Sequence, residues 1–86
     1  MFEVVEYHTT EGDSPFEAWF EALNRQAALK VNTALTRIES GNLGDVKPVG
    51  GGVSETRIHF GPGYRVYFGK DGDKIIVLLG GGTKKG

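Results

Sequence analysis

Two arginines and a histidine, Arg57, His59 and Arg65, lie close together in residues 53–68. A guanidinium group is a planar fork that matches phosphate oxygens, and histidine is the side chain that changes charge near neutral pH. Such groups can bind a phosphodiester and transfer a proton. The chemistry that they support is metal-free RNA cleavage, which needs a base for the 2′-hydroxyl and cations for the charged transition state.

Aromatic and basic side chains surround this trio. Tyr64 and Tyr67 are candidates to stack on a base or to donate a proton. Lys47 and Lys84 can extend the positive charge. The chain has no cysteine and no set of histidines with ligand spacing, so the sequence predicts neither a metal site nor a cofactor.

A second interpretation of the arginines stays open. Glu55 has the same strand parity as Arg57, so Arg57 and Arg65 could simply form ion pairs with Glu55 on a solvated face. The residue types alone do not decide between a phosphate site and a surface ion-pair cluster.

The elements that must position these side chains are two paired strands. Residues 53–60 and 64–68 alternate with a period of two, and Gly61, Pro62 and Gly63 supply the turn between them. This alternation predicts one buried set of side chains, namely Ile58, Phe60, Val66 and Phe68. It places the other set together on the opposite face, namely Arg57, His59, Arg65 and Tyr67.

Upstream, the pattern predicts a strand over residues 2–8 and then a helical hairpin. Ser14 followed by Pro15 and Glu17 is typical of a helix start with a capping box. The first helix then carries an apolar stripe formed by Phe16, Trp19, Phe20 and Leu23. A second helix runs to about Ser40 and stops at Gly41, and both helices should cross one sheet face.

Residues 42–52 read as a glycine-rich loop, and residues 74–79 as an apolar strand buried on both faces. The order is therefore β-α-α-β-β-β, an α+β fold with a three-stranded antiparallel block after the helical hairpin. We expect one domain over residues 1–86, with residues 79–86 as a flexible tail.

Charge is unevenly divided along the chain. Residues 1–46 hold eight acids against three bases, a balance of −5, whereas residues 47–86 hold seven bases against three acids, a balance of +4. Such asymmetry is one indication of contact with nucleic acid, and the alternative is that two solvated halves of the chain simply differ in charge. No apolar run is long enough for a membrane span and no signal peptide is evident, so we expect a cytoplasmic protein without membrane contact.

The segment V-S-E-T-R-I-H-F-G-P-G-Y-R-V-Y-F, followed by I-I-V-L-L-G-G-G-x-K-K, resembles the RelE/ParE superfamily of bacterial toxins. The most similar branch is RelE/HigB-like, often described as phage-derived or addiction-module killer proteins. The resemblance extends over the whole chain in element order and implies a RelE-like microbial RNase-type fold. It also implies that the C-terminal segment of the family, a basic stretch and a helix, is absent here.

The resemblance implies the toxin of a type II toxin–antitoxin pair that cuts mRNA in the ribosomal A site and inhibits translation. Arg57 and His59 match the basic pair that contacts the scissile phosphate or acts as base, and Arg65 matches the phosphate-stabilising arginine. Lys84 matches a basic residue after the last strand, and Lys85 adjoins it as a further RNA-binding candidate. The implied partners are the ribosome, mRNA and a cognate antitoxin of helix-turn-helix type.

Two other functions fit the same resemblance. One is a ParE-like inhibitor of DNA gyrase, which cleaves nothing and does not require His59. The other is a catalytically inactive domain that binds only its antitoxin. The three functions differ in whether messages are cut, gyrase is trapped, or neither occurs.

Overall fold

The computed structural model describes residues 1–83, which form two helices and one five-stranded sheet. The elements in chain order are β1 (Glu3–Glu6), α1 (Pro15–Glu21), α2 (Arg25–Glu39), β2 (Asp45–Gly50), β3 (Val53–Ile58), β4 (Tyr64–Asp71) and β5 (Ile75–Thr83). The sheet order is β1-β5-β4-β3-β2. Strand β1 is parallel to β5, and the other neighbours are antiparallel. The predicted α+β class is confirmed, with one strand more than predicted. Lys84 and Lys85 lie outside the described residues.

Helix α1 begins as its sequence predicts. The Ser14 hydroxyl oxygen accepts a hydrogen bond from the Glu17 backbone N–H at 3.0 Å, and Pro15 occupies the first helical position. Proline is favoured there because that position needs no N–H donor inside the helix. The start of α1 is therefore fixed by local chemistry.

Replacing Ser14 by alanine should remove this cap and destabilise the protein by about 1 kcal/mol, because the Glu17 N–H loses its partner at a buried helix start. Urea denaturation measures the change. Ser14→Thr, which keeps a hydroxyl at the cap, is the control. Equal losses in both variants would contradict the capping explanation.

Helix α2 begins and ends in the same local manner. Asn24 caps its start by accepting a hydrogen bond from the Ala27 N–H at 2.9 Å. At the other end Gly41 adopts φ of 101°, and its N–H donates to the Ile38 carbonyl. That left-handed conformation is accessible to glycine at little energetic penalty. The predicted helix stop at Gly41 is confirmed.

Both helices pack on one face of the sheet, where they form the core. The predicted stripe of α1 lies there, with Phe16 buried and Trp19, Phe20 and Leu23 partly buried. The buried core cluster consists of Phe16, Val31, Ile38, Val66, Phe68, Ile76 and Leu78. One sheet face is thus covered by the helical hairpin. No helix of residues 1–83 is long and apolar enough to cross a membrane.

The prediction of a loop over residues 42–52 was wrong, because strand β2 occupies Asp45–Gly50. This strand lies at the sheet edge, and all six of its residues are exposed. An edge strand tolerates Pro48, since one side of its backbone needs no partner in the sheet. Without buried positions, β2 has no hydrophobic alternation that sequence reasoning can detect.

Two predictions about the last strand were also wrong. Strand β5 continues to Thr83, and residues 80–83 pair with β4 instead of forming a tail. It is buried on one face only: Ile76 and Leu78 are in the core, whereas Val77 and Leu79 on the other side are half-buried. The pairing also shifts between Tyr67 and Phe68, which leaves Leu79 as the extra residue of a β-bulge.

Candidate functional site

Strands β3 and β4 form the predicted hairpin around Gly61, Pro62 and Gly63. The Gly63 N–H donates to the Phe60 carbonyl at 2.9 Å, and both glycines adopt positive φ. Arg57 lies directly opposite Arg65 in the register. Residues opposite one another in antiparallel strands share a face, so the two arginines lie together, as predicted. The prediction that His59 belongs to the strand was wrong, because β3 ends at Ile58.

The face that carries Arg57 and Arg65 lies opposite the helices, and we call it the open face. Across it, the register aligns two rows of residues. One row runs Asp45, Arg57, Arg65 and Gly82. The other row runs Lys47, Glu55, Tyr67 and Gly80. The rows place cations on three adjacent strands around one central carboxylate.

Glu55 is that central carboxylate, and it contacts both arginines. Its Oε2 accepts a hydrogen bond from Arg57 Nε at 3.0 Å, and its Oε1 lies 3.6 Å from Arg65 Nη1. Glu55 is only 3% exposed, whereas about a third of each arginine side chain remains accessible. The hydrogen bond uses Nε of Arg57, so the two terminal nitrogens of the Arg57 guanidinium group do not take part in it. Glu55 therefore holds two guanidinium groups side by side.

His59 follows β3 and is fixed by a second carboxylate. Its Nε2 lies 2.7 Å from Asp45 Oδ2, and both side chains are at least half exposed. A carboxylate bonded to one ring nitrogen orients the imidazole. The other ring nitrogen, Nδ1, is then the one that can exchange a proton with a ligand.

The three predicted catalytic residues line one depression. Its volume is 270 Å³, and we call it the arginine depression. It is lined by Arg57, Ile58, His59, Gly63, Tyr64 and Arg65. Two guanidinium groups and an imidazole on one concave wall can hold an anion and move a proton within the same space.

The predicted RNA-binding residues are placed less uniformly. Tyr64 also lines the depression, but it is only 7% exposed, and its ring packs edge-on against Trp19 on the helix side. Too little of that ring is accessible to stack on a base. Tyr67 is half-buried on the open face, and Lys47 is exposed directly across from Glu55. Lys84 and Lys85 are outside the described part of the chain.

Of the two carboxylates of the site, sequence reasoning anticipated Glu55 as an ion-pair partner of both arginines and missed Asp45 as the partner of His59. A signal for Glu55 was present, since it lies two positions before Arg57 and so shares its strand face. No comparable signal existed for Asp45, which lies 14 positions before His59 in an exposed edge strand.

The fold and the site define a small α+β protein with a carboxylate-bridged arginine pair on its open face. An uncharacterized protein of Haemophilus influenzae is 41% identical to the chain over 70 residues, which make up 80% of this chain and 71% of that protein. The chain belongs to the same family as this Haemophilus influenzae protein. No family model matches the chain.

Proposed function

We propose that the chain is the toxin of a type II toxin–antitoxin pair and acts as a ribosome-dependent, metal-independent mRNA endoribonuclease of the RelE/HigB-like branch. The observation that carries the proposal is the arginine depression, in which Arg57, His59 and Arg65 share one concave wall. The order of a strand, two helices and an antiparallel block supports a RelE-like fold. This activity takes place in the cytoplasm, where ribosomes and messages are.

In this mechanism the scissile phosphate binds between the two guanidinium groups. As the 2′-oxygen attacks phosphorus, negative charge accumulates on the phosphate oxygens, and fixed cations stabilise it without reorganising. Glu55 keeps Arg57 and Arg65 in place before the substrate arrives. Cations that are already in position stabilise the transition state more than mobile cations do, because they need not reorganise during the reaction.

His59 is the proposed base. It removes the proton of the 2′-hydroxyl through Nδ1, while the contact between Nε2 and Asp45 keeps the ring oriented. The phosphorus–oxygen bond to the 5′-oxygen breaks, and that oxygen takes a proton from water, while the imidazolium returns its proton to the solvent. The products are a 2′,3′-cyclic phosphate and a 5′-hydroxyl. Their formation by this route uses no metal and no added reactant.

The pairing of both arginines with Glu55 also matches the alternative of a surface ion-pair cluster. Two features favour the phosphate site. The triad of two arginines and one carboxylate keeps a net positive charge, and Lys47 lies across from Glu55 in the same row. In addition, both arginines line the same depression as His59, an arrangement that an ion pair with a purely structural role does not require.

The test is to express the chain with its cognate antitoxin, release the toxin, and map mRNA ends on ribosomes. We expect cuts phased with codons in the unaltered protein and their loss in Arg65→Ala and His59→Ala. Lys74→Ala is the control, because Lys74 is an exposed cation that does not line the depression. Intact messages in arrested cells would overturn the proposal, and gyrase trapped on DNA would then identify a ParE-like inhibitor.

A further inference from the structure

A second concavity adjoins the arginine depression, and we call it the α2 groove. It has a volume of 380 Å³ and lies between helix α2, the loop after it, and the ends of β2 and β3. Arg57, Ile58 and His59 line both concavities, so the two share a wall. A ligand in the arginine depression could therefore continue into the α2 groove.

The α2 groove is basic in a chain whose net charge is −1. Lys30 and Arg37 line it from α2, whereas the guanidinium group of Arg57 is bonded to Glu55 on the open face and does not add to this charge. The one carboxylate in its lining is Asp45, which is already hydrogen-bonded to His59. The excess of fixed positive charge favours an anionic ligand.

An aromatic side chain lies among these cations. Phe60 is partly exposed, lines the α2 groove, and has Lys30 Nζ at 5.4 Å from its ring centre. It also borders a shallower depression with Leu29, so its ring can be reached from outside the groove. Cations that follow a strand's phosphates, combined with an aromatic ring that stacks on a base, are the means by which proteins bind single-stranded nucleic acid.

We propose that the α2 groove binds the single-stranded RNA that flanks the cleavage site, with Phe60 stacking on a base and Lys30 and Arg37 binding phosphates. This inference rests on the proposed function, because it extends the path of the same RNA strand beyond the arginine depression. The two concavities meet at the end of β3, where the exposed His59 lines both, and this junction with the phosphate site favours RNA over an acidic protein segment.

The experiment measures binding of a short fluorescein-labelled oligouridine by anisotropy, with 2′-O-methyl groups that prevent cleavage. Phe60→Leu should weaken binding about tenfold through loss of stacking. Lys30→Ala and Arg37→Ala should each reduce the slope of log Kd against log salt by about 0.7, the value for one phosphate contact on a single strand. Thermal unfolding of each variant checks that the fold is intact.

Arg25→Ala is the matched control, because Arg25 is an exposed arginine of the same helix that does not line the groove. Equal effects of Arg25→Ala and Arg37→Ala, or unchanged RNA binding in all groove variants, would overturn the inference. Loss of binding to an oligoglutamate peptide in those variants, with RNA binding unchanged, would assign the groove to an acidic protein partner instead.

Failure of this inference can be told apart from failure of the proposed function. The oligouridine cannot be cut, so a protein that cleaves no message can still show the groove effects. Conversely, cuts that disappear in Arg65→Ala while Lys30→Ala and Phe60→Leu bind RNA normally would support the nuclease and reject the groove.

Discussion

Gly81→Ala should destabilise the protein by about 3 kcal/mol, the upper part of the range for overpacked cores. Gly81 lies in β5 under the ring of Trp19, and a Cβ at this position would overlap ring atoms Cδ2 and Cε3 and lie 2.5 Å from Cζ3. The indole cannot retreat freely, because Phe16 and Tyr64 pack against it with ring centres 5.8 and 6.5 Å away. Chemical denaturation measures the loss.

The adjacent glycine provides the control for this prediction. Gly80 lies on the open face, and a Cβ there would meet nothing within 4 Å. Gly80→Ala should therefore change stability by less than about 0.5 kcal/mol. Trp19→Leu should partly relieve the penalty of Gly81→Ala in the double variant, because the smaller side chain leaves room for the methyl group. Equal losses in Gly80→Ala and Gly81→Ala would contradict the close approach.

Glu55→Gln should destabilise the protein by about 2 kcal/mol. The substitution keeps the shape of the side chain but removes the one charge that compensates Arg57 and Arg65. The loss stays below that of a fully buried ion pair, because both arginines are about one third exposed and can be partly rehydrated. Urea denaturation at fixed ionic strength is the measurement.

Asp45→Asn is the matched control for Glu55→Gln. It removes another carboxylate of the same two rows, but Asp45 is half exposed, so the expected loss is below about 1 kcal/mol. Equal losses in the two variants would show that burial of Glu55 does not matter.

The double variant Glu55→Gln/Arg57→Gln separates stability from function. Removing both charges should recover part of the stability lost in Glu55→Gln, since one guanidinium no longer lacks a counter-charge. If the arginines serve RNA cleavage, the double variant should still cut no message. Normal cutting by this variant would mean that Arg57 serves the ion pair alone.

Sequence reasoning succeeded where the signal was local. The cap at Ser14, the stop at Gly41 and the turn around Pro62 depend on a few adjacent residues, and each lies where it was predicted. The shared face of Arg57 and Arg65 follows from a period of two and a single turn, and the register confirms it. Both kinds of signal can be recognised from the order of the residues along the chain.

What could not be predicted depends on contacts that are distant in sequence. Strand β2 is held by pairing with β3 and has no buried side chain of its own, so its sequence resembles a loop. The contact between His59 and Asp45 exists only because β2 forms beside β3. The approach of Trp19 to Gly81 likewise requires α1 to lie over β5.

The pairing of β1 with β5 has a consequence for how the protein is made. Residues 3–6 form their hydrogen-bonded ladder with residues 75–78, so β1 has no partner in the sheet until β5 has been synthesised. Such a non-local pairing slows folding, because the entropy of closing a long loop is lost before the strand contacts form and compensate for it. The sheet is therefore completed only after β5 has been synthesised, and a nascent chain that stops before β5 lacks the edge that β1 supplies.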